Sequence, residues 1–425
     1  MMRKRPLSVF IGDDFTGASD TLATWARSGA QVRLYLDAET ASQAGDSFEV
    51  IGIATELRGL TEGRIRSRLP EIATTVAGLN PEFVHYKVCS TFDSSPDTGS
   101  IGAAVDVLEQ TIQPCLTLVI GGQPSLGRYC LFGNLFARAS DKKVYRIDRH
   151  PVMRCHPITP MAEADLSVHL AAQGLEGLQS ISVSELAYGA RELVKKLHTS
   201  IGEGSKRFLI DASSADDIRI IGEALGSISK AEPVLLVGAS SVAEAIAYGS
   251  KKYISRPSGI PIRERKGPCL MIAGSRSSVT EYQVSSASSF EKLELSPATL
   301  QRPSSFNAAI RWACYNLKQG RNVLVHTLPG ADYHERATDL TERLVNYAEA
   351  VLSNTKIGKL GVAGGDTSSA ICQRLGFLSL DYAFDIDPGV SICIGQHSDL
   401  GLDGLKLMLK GGQMGSSGLF DRFTT

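Results

Sequence analysis

Two adjacent carboxylates, Asp13 and Asp14, end an apolar run near the start of the chain. A pair of carboxylates could accept a proton from a hydroxyl or hold a cation. An Asp at this point could also cap a following helix and complement its dipole, but a cap needs only one carboxylate. The pair therefore favours a chemical role for this turn, with helix capping as the alternative.

The elements around this pair are a strand, a tight turn and a helix. Residues 7–11 form a short, mainly apolar run that is typical of a strand covered on both faces. Gly17, Ala18 and Ser19 then lead into a segment with the apolar spacing of a helix. Ligands of open parallel sheets bind beyond the carboxyl ends of the strands, which is where the pair would lie. The glycine spacing resembles that of a P-loop, but Ala18 stands in place of the phosphate-binding lysine, so we reject that motif.

The composition is that of an ordinary globular protein, with 43% hydrophobic and 21% charged residues among 425. This length favours two domains. The net charge of -1 gives no electrostatic signal for nucleic acid or an anionic membrane, and neither is expected as a partner. The eight cysteines and eight histidines show no paired metal-ligand spacing, which favours reduced thiols and a cytoplasmic protein.

Short apolar runs alternate with helical patterns along most of the chain, which is typical of parallel α/β sheets. The alternation is interrupted at residues 250–268, a segment rich in Lys, Arg, Pro and Gly that we interpret as a linker. We therefore predict an α/β fold of two domains with mainly parallel sheets, residues 1–255 and 256–425.

Two arginines follow apolar runs of the first predicted domain. Arg58 comes soon after the run at 48–54, and its guanidinium could bind a carboxylate through two parallel hydrogen bonds. A solvated position in a loop is the alternative for this residue. Arg128 ends the glycine-rich loop after the run at 115–120.

The segment KVCSTFD begins at Lys87, near the end of the apolar run at 83–88. Its Ser90, Thr91 and Asp93 could bind the hydroxyls of a ligand, although the same residues are common in ordinary turns. Lys87 follows the apolar residues directly, so its ammonium needs a crevice or a partner. Because all of these groups follow predicted strands, we expect them at the same edge of the sheet as the carboxylate pair.

Three loops of small residues stand out in the second predicted domain: AGSRSS at 273–278, GGDTS at 364–368 and GGQMGSSG at 411–418. Their glycines allow close backbone approach, and amides at a helix N-terminus can bind phosphate oxygens. Each loop alone could be a structural turn, but three in one domain favour a nucleotide or a phosphorylated ligand. Asp366 is the only acid within them, and it could approach Mg²⁺ or cap its helix.

Together these motifs resemble those of the four-carbon acid sugar kinase family, ATP-dependent kinases of tetronate-type sugar acids. In the family's order, the chain reads GDDFTGASD, TELR, KVCSTFDS, PSLGR, GSRSSVT, VAGGDTSSA and LKGGQMG. The form KVCSTFD is similar to the branch that acts on 3-oxo-tetronates, rather than to the K-K-x-D-S-T-L-R-G-N form of many relatives. In the last motif Gly411 replaces a serine, which removes any hydroxyl contact at that position.

The resemblance implies an N-terminal domain that binds a sugar acid, a C-terminal domain that binds ATP with Mg²⁺, and an active-site cleft between them. Positions that match the substrate-side motifs are Asp13, Asp14, Arg58, Lys87 and Arg128. Positions that match the nucleotide-side motifs are Ser275, Ser277, Gly364, Gly365, Asp366, Thr367 and Gly412.

Phosphoryl transfer mainly requires positioning of the acceptor and neutralisation of charge. For this reaction we predict that Asp14 orients and deprotonates the terminal hydroxyl, with Asp13 or Asp93 as second choices. We assign Arg58 and Lys87 to the carboxylate of the acid, or one of them to the transferred phosphoryl group. The substrate-binding set is completed by Ser90, Thr91, Asp93 and Arg128, and Asp366 is the expected metal ligand.

The favoured acceptor is a 3-oxo-tetronate, and a D-threonate or D-erythronate 4-kinase is the alternative. A protein that binds a sugar acid or a nucleotide without catalysis is the alternative of another class. A nicotinamide-dependent oxidoreductase ranks last because no G-x-G-x-x-G follows a predicted strand. Residues 145–160 could line the cleft or form a subunit contact. Assembly as a homodimer is therefore one of the alternatives that the sequence leaves open.

Overall fold

A computed structural model of the chain describes residues 5–44, 48–139, 141–228, 232–250, 265–333 and 336–425. The chain divides into two units, Met1–Ser258 and Gly259–Thr425. Both units combine a mainly parallel sheet with helices, so the predicted α/β fold of two domains is confirmed. The linker predicted at 250–268 lies outside the described residues from 251 to 264, and the boundary predicted at 255 stays a prediction.

The first unit contains, in chain order, β1 Ser8–Gly12, α1 Phe15–Arg27, β2 Val32–Tyr35, α2 Ala38–Ser42, β3 Val50–Ala54, α3 Glu62–Leu79, β4 Phe83–Lys87, α4 Ile101–Ile112, β5 Leu116–Ile120, β6 Arg128–Leu131, β7 Asn134–Arg138, β8 Val144–Arg146, α5 Leu166–Ala171, β9 Gln179–Ile181, α6 Val183–Leu186, α7 Ala190–Gly202, β10 Arg207–Ile210, α8 Ala215–Ser227, β11 Val234–Gly238 and α9 Ser241–Gly249. Its main sheet has the order β2-β3-β1-β4-β11-β5-β10-β9. Neighbouring strands in this order are all parallel.

The centre of this sheet brings three carboxyl ends together. In β1, Gly12 lies opposite Ala54 of β3 on one side and Lys87 of β4 on the other. All residues of these three strands are buried, as their short and mainly apolar sequences predict for strands covered on both faces. The residues that follow β1, β3 and β4 therefore lie at one edge of the sheet, which the sequence analysis expected.

A small antiparallel sheet of β6, β7 and β8 follows β5, and the sequence analysis did not predict it. Arg128 is accordingly the first residue of β6 rather than only the end of a loop. The two residues between β6 and β7, Phe132 and Gly133, both have positive φ, 50° and 75°. Such hairpin turns usually carry Asn-Gly or Asp-Gly, and the sequence Phe-Gly lacks that signal.

The second unit contains β12 Cys269–Ala273, α10 Ser278–Ser286, β13 Glu291–Glu294, α11 Pro297–Gln301, α12 Pro303–Lys318, β14 Val323–His326, α13 Ala337–Asn354, β15 Lys359–Ala363, α14 Gly365–Leu375, β16 Ser379–Asp387, β17 Val390–Gln396, β18 Leu405–Lys410 and α15 Leu419–Thr424. Within this unit the strand order is β13-β14-β12-β15-β18-β17-β16; β17 pairs antiparallel with β18 and with β16, and the other neighbouring pairs are parallel. The adjacent strands β12, β15 and β18 lead into the three small-residue loops. Within the described ranges, no helix combines the length and apolar character that a membrane span requires.

Candidate active site

The carboxylate pair of the first unit is joined to Arg58. Asp13 directly follows β1, and Arg58 lies in a short 3₁₀ turn after β3. The Arg58 Nε donates to Asp13 Oδ2 at 3.1 Å, and its Nη2 donates to Asp13 Oδ1 and Asp14 Oδ1, each at 2.7 Å. Three of the five guanidinium N–H groups are used in this way, which leaves the two on Nη1 for a ligand.

The two carboxylates differ in surroundings and in role. Asp13 is 5% exposed, and burial raises its pKa, while the Arg58 charge opposes the rise and the Asp14 charge adds to it. Asp14 is the N-cap of α1, because its Oδ1 accepts the Gly17 N–H at 2.9 Å. Asp14 therefore caps the helix, as the alternative interpretation of the pair predicted, and Asp13 is not required for capping. Within the described residues, Asp14 Oδ2 accepts no hydrogen bond, and its side chain is 25% exposed.

Lys87, the last residue of β4, places a buried ammonium against the N-terminus of α1. Its Nζ donates to the Val88 carbonyl at 2.8 Å, and the residue is only 4% exposed. A Cβ on Gly17 would lie 2.6 Å from this Nζ and 2.5 Å from Asp14 Oδ1, so a larger residue there would displace one or both of these side-chain ends. No ion pair of Lys87 with a carboxylate occurs in the described part of the chain. Because the Asp14 carboxylate already caps this helix N-terminus, the Lys87 ammonium is the positive group here that a second anion could contact.

The loop after Lys87 places Asp93 close enough to Arg58 for the arginine charge to lower the pKa of Asp93. Thr91 Oγ1 donates to Asp93 Oδ1 at 2.5 Å. Burial alone would raise the pKa of Asp93, but the Arg58 charge and hydrogen bonds from Cys89 and Thr91 hold it below its usual value. Ser90 is half-buried, and its hydroxyl makes no hydrogen bond to any described residue. The loop thus offers one ordered carboxylate and one unused hydroxyl.

Arg128 offers a second guanidinium with unused donors. Its Nη1 donates to the Leu126 carbonyl at 2.7 Å, whereas its buried Nε has no partner among the described residues. Burial lowers the pKa of this arginine, although the group stays charged. An unsatisfied buried donor is costly, and a ligand oxygen could satisfy it.

In the second unit, Ser277 connects two of the three small-residue loops. It is the N-cap of α10 and accepts the Thr280 N–H at 3.2 Å. Its Oγ also donates to the Gly412 carbonyl at 2.5 Å. A Cβ on Gly412 would overlap Ser275 Oγ, so a larger residue at this position would force the Ser275 side chain to move.

The loop after β15 connects to the same place. Gly364 precedes α14, and its N–H donates to the Lys410 carbonyl at 2.9 Å, while the Ser275 N–H donates to the Ala363 carbonyl at 2.8 Å. Gly365 begins the helix, and Thr367 is buried against Gly274. The predicted nucleotide-side residues are thus brought together by adjacent strands.

Asp366 lies in the first turn of α14 and is exposed. It does not cap the helix, because Gly364 occupies the cap position, and its carboxylate has no hydrogen bond within the described residues. No group of three or more His, Cys, Asp or Glu residues that could hold a metal occurs in the parts of the chain described above. Mg²⁺ usually binds one or two carboxylates together with substrate phosphates, so a single exposed carboxylate beside a phosphate site fits this ion.

Comparisons with known proteins agree with a sugar-binding first unit and a nucleotide-binding second unit. A sugar-binding N-terminal domain model matches residues 8–246, and a nucleotide-binding C-terminal domain model matches residues 270–420. A 3-oxo-isoapionate kinase from Paraburkholderia graminis is 30% identical over 97% of this chain and 93% of its own. A 3-oxo-tetronate kinase from Cupriavidus necator is 27% identical over 98% of this chain and 96% of its own. The chain belongs to the four-carbon acid sugar kinase family.

This four-carbon acid sugar kinase is a phosphotransferase with an alcohol group as acceptor, and the predicted activity on a sugar acid is confirmed. Solved structures share its fold. A protein from Salmonella typhimurium LT2 has a TM-score of 0.83 at 23% identity, covering 98% of both chains. A protein from Haemophilus influenzae has a TM-score of 0.75 at 21% identity, covering 97% of this chain and 98% of its own.

Cys89 and Thr280 also belong to these clusters, although neither was selected from the sequence. The Cys89 thiol lies 2.9 Å from Thr91 Oγ1, and burial raises its pKa to about 12, so it is a neutral group. Thr280 Oγ1 donates to the Gly412 carbonyl at 2.9 Å. Both lie inside motifs that the sequence analysis quoted, KVCSTFDS and GSRSSVT, and only the folded loops show their contacts.

Proposed function

We propose that this kinase transfers the γ-phosphoryl group of ATP, with Mg²⁺, to the terminal hydroxyl of a 3-oxo sugar acid, with 3-oxo-tetronate as the first candidate. The observation that carries the proposal is the cluster at the carboxyl ends of β1, β3 and β4, in which Asp14, Arg58 and Lys87 meet. It combines a carboxylate that can accept a proton with two cations that can hold an anionic acceptor and the charge transferred to it.

Binding of the acid is assigned to the two guanidiniums. Arg58 is held in place by the carboxylate pair, so its Nη1 presents a fixed donor to a ligand. Arg128 adds its unpartnered Nε. A sugar-acid carboxylate could accept from both, while Ser90 and Asp93 would bind its hydroxyls. Asp93 stays ionised near neutral pH because Arg58 and its own hydrogen bonds lower its pKa, so it is an acceptor for a hydroxyl.

Deprotonation of the acceptor hydroxyl is assigned to Asp14 rather than Asp13. Both oxygens of Asp13 bind Arg58, and this residue is almost fully buried. Asp14 Oδ2 is the oxygen without a protein hydrogen bond, so it could orient the hydroxyl and take its proton as the bond to phosphorus forms.

Lys87 is assigned to the transferred phosphoryl group. Its ammonium and the N-terminus of α1 would neutralise the charge on the phosphoryl oxygens while water is excluded. On the nucleotide side, the loops at 273–278, 364–368 and 411–418 would hold the ATP phosphates, and Asp366 would hold Mg²⁺, which bridges and neutralises phosphate oxygens when bound.

A 3-oxo-isoapionate is the second candidate acceptor. The relative named 3-oxo-isoapionate kinase is 30% identical to this chain, and the 3-oxo-tetronate kinases from Cupriavidus necator and Methylobacterium radiotolerans are each 27% identical. D-threonate and D-erythronate are the alternatives without the oxo group. Location in the cytoplasm and assembly as a homodimer stay predictions from the sequence.

The test is ADP release from ATP with Mg²⁺ across these acids in both stereochemical series. We expect turnover with a 3-oxo acid and a kcat/KM at least tenfold lower with the corresponding hydroxy acid, because a site built to bind the oxo group loses contacts with its analogue. Turnover with threonate or erythronate alone would assign the other branch. Absence of ATP binding would contradict the proposed nucleotide.

A further inference from the structure

Lys410, the last residue of β18, is a buried cation that the sequence analysis did not select. The residue is 1% exposed. Its Nζ donates to Thr280 Oγ1 at 3.1 Å and, at 3.4 Å, approaches the Gly412 carbonyl. Both partners are neutral, and no carboxylate forms an ion pair with this ammonium in the described ranges. Burial lowers its pKa to about 8, so most of the molecules carry the charge at neutral pH.

The Gly412 carbonyl is the common acceptor of this cluster. It accepts from Ser277 Oγ at 2.5 Å, from Thr280 Oγ1 at 2.9 Å and from Lys410 Nζ. The peptide group that joins Gly412 to Gln413 is planar and trans, so its C=O and N–H point in opposite directions. With the carbonyl turned toward the buried donors, the Gln413 N–H is turned away from them. That N–H donates to no acceptor among the described residues.

Lys410 also lies where all three loops of the nucleotide side meet. Its own carbonyl accepts the Gly364 N–H at 2.9 Å, which connects β18 to the loop before α14. Through Thr280 and Gly412 its ammonium contacts α10 and the last loop. A positive charge at this junction has no counter-charge among the residues that the structure describes, whereas the phosphates of a nucleotide would supply one.

We propose that Lys410 is a positioning residue of the nucleotide site: its ammonium holds the Gly412 carbonyl inward, turns the Gln413 N–H toward the nucleotide phosphates, and supplies an unpaired positive charge beneath them. The proposal rests on the proposed function, because it requires a nucleotide on the second unit. It assigns to Lys410 an effect on phosphate binding and none on the base or sugar of the nucleotide.

The test compares Lys410→Met with Lys406→Met in the full chain. Met keeps most of the apolar length of Lys and removes the charge, and Lys406 is a half-buried lysine of the same strand. Calorimetric titration with ATP, ADP and adenosine in the presence of Mg²⁺ measures the contribution of the phosphates. For Lys410→Met we expect at least about tenfold weaker ATP binding, less weakening for ADP and a change within about twofold for adenosine. Lys406→Met is expected to match the wild type for all three.

Steady-state kinetics give the second measurement. The KM for ATP should rise in Lys410→Met, whereas the KM for the acid should stay within about twofold. Unchanged ATP affinity would overturn the proposal, and so would equal weakening of ATP and adenosine, which would indicate a structural role only.

If Lys410→Met does not fold, Thr280→Val removes the hydroxyl that joins Lys410 to Gly412 and should give the same selective loss, about threefold or more. Failure of the wild type to bind ATP would instead contradict the proposed function.

Discussion

At the scale of single residues, the different roles proposed for Asp13 and Asp14 follow from their hydrogen bonds to the Arg58 guanidinium. Arg58 binds both oxygens of Asp13 but only Oδ1 of Asp14. Asp13 therefore holds the arginine, and Asp14 keeps one oxygen that accepts no hydrogen bond within the described residues. We propose Asp14 as the base for this reason, because the residue type, which is Asp at both positions, does not distinguish the two.

Replacement of Asp14 by Asn tests this division. Asn caps helices about as well as Asp, so the free energy of unfolding should change by less than about 1 kcal/mol. The amide is not a general base, so kcat should fall by about 10² to 10⁴ while ATP affinity is unchanged. Asp37→Asn is the matched control, because Asp37 caps α2 through the Thr40 N–H at 2.6 Å. Wild-type turnover in Asp14→Asn would remove Asp14 from the role of base.

Replacement of Gly17 by Ala tests the close approach of Lys87 to α1. The added Cβ would lie 2.6 Å from the Lys87 Nζ and 2.5 Å from Asp14 Oδ1, so one or both of these groups must move. We expect kcat/KM for the acid to fall by at least about tenfold, since small displacements in a phosphoryl-transfer site are costly. Gly63→Ala in the first turn of α3 is the control, because a Cβ there meets no atom within 4 Å. Helix propensity favours Ala at both positions by up to about 1 kcal/mol, so equal activity of the two variants would show that Lys87 tolerates the displacement.

At the scale of elements, both clusters depend on adjacent parallel strands that end in register. β1 lies between β3 and β4, and β15 lies between β12 and β18, so residues far apart in sequence share one sheet edge. The short C-terminal helix α15 completes the second unit. Its Asp421 accepts hydrogen bonds from the N–H groups of Ser288 and Ser289, at 2.9 to 3.0 Å, which fixes the helix to the start of β13.

Asp421 makes the stability of the second unit pH-dependent. Burial alone would raise its pKa, but the hydrogen bonds from Ser289 and Ser288 lower it to about 2. Because the folded pKa lies below the ordinary value of 3.8, the stabilisation is present above about pH 4 and is lost as pH falls toward 2.

Asp421→Asn should therefore lower the free energy of unfolding by about 1 kcal/mol at pH 6, after allowance for solvent screening, and by less at pH 3. Denaturant titrations at the two pH values measure the difference. Glu281→Gln, which removes an exposed acid from the neighbouring α10, should show no such pH dependence. A deficit of Asp421→Asn that is as large at pH 3 as at pH 6 would mean that the charge of Asp421 does not stabilise the fold.

At the scale of the whole molecule, each unit carries its own set of proposed ligand-binding residues. Lys87 donates a hydrogen bond within the first unit, and Ser277 donates hydrogen bonds within the second. Substitutions at the two positions should therefore affect different ligands. This separation follows from the two family matches as well, one for sugar binding and one for nucleotide binding.

We expect Lys87→Met to lower kcat/KM for the acid by at least about 100-fold, while the Kd for ATP stays within about twofold. Ser277→Ala removes the α10 cap and one donor to Gly412, so it should weaken ATP binding by about tenfold and leave the affinity for the acid unchanged. Steady-state kinetics with the acid, together with equilibrium titration of each variant with each ligand, separate the effects. Loss of both affinities in either variant would contradict the separation.

The sequence by itself determined the α/β class, the motifs and the residue types at the strand ends, because apolar periodicity and glycine spacing are local properties of the chain. It also predicted that Asp13, Arg58 and Lys87 lie at one edge, since carboxyl ends of parallel strands meet there. It could not determine the small antiparallel sheet, whose turn residues Phe132 and Gly133 lack the usual signal.

Only the tertiary structure decided which groups are satisfied within the protein and which stay available to a ligand. The sequence does not show that the bidentate edge of Arg58 is used by Asp13. Nor does it show that, within the described parts of the chain, Asp14 caps α1 while its Oδ2 accepts no hydrogen bond, or that Lys410 is buried without a counter-charge. These properties depend on contacts between residues tens to hundreds of positions apart, and hydrogen bonding and burial in such contacts are set by strand order rather than by local sequence.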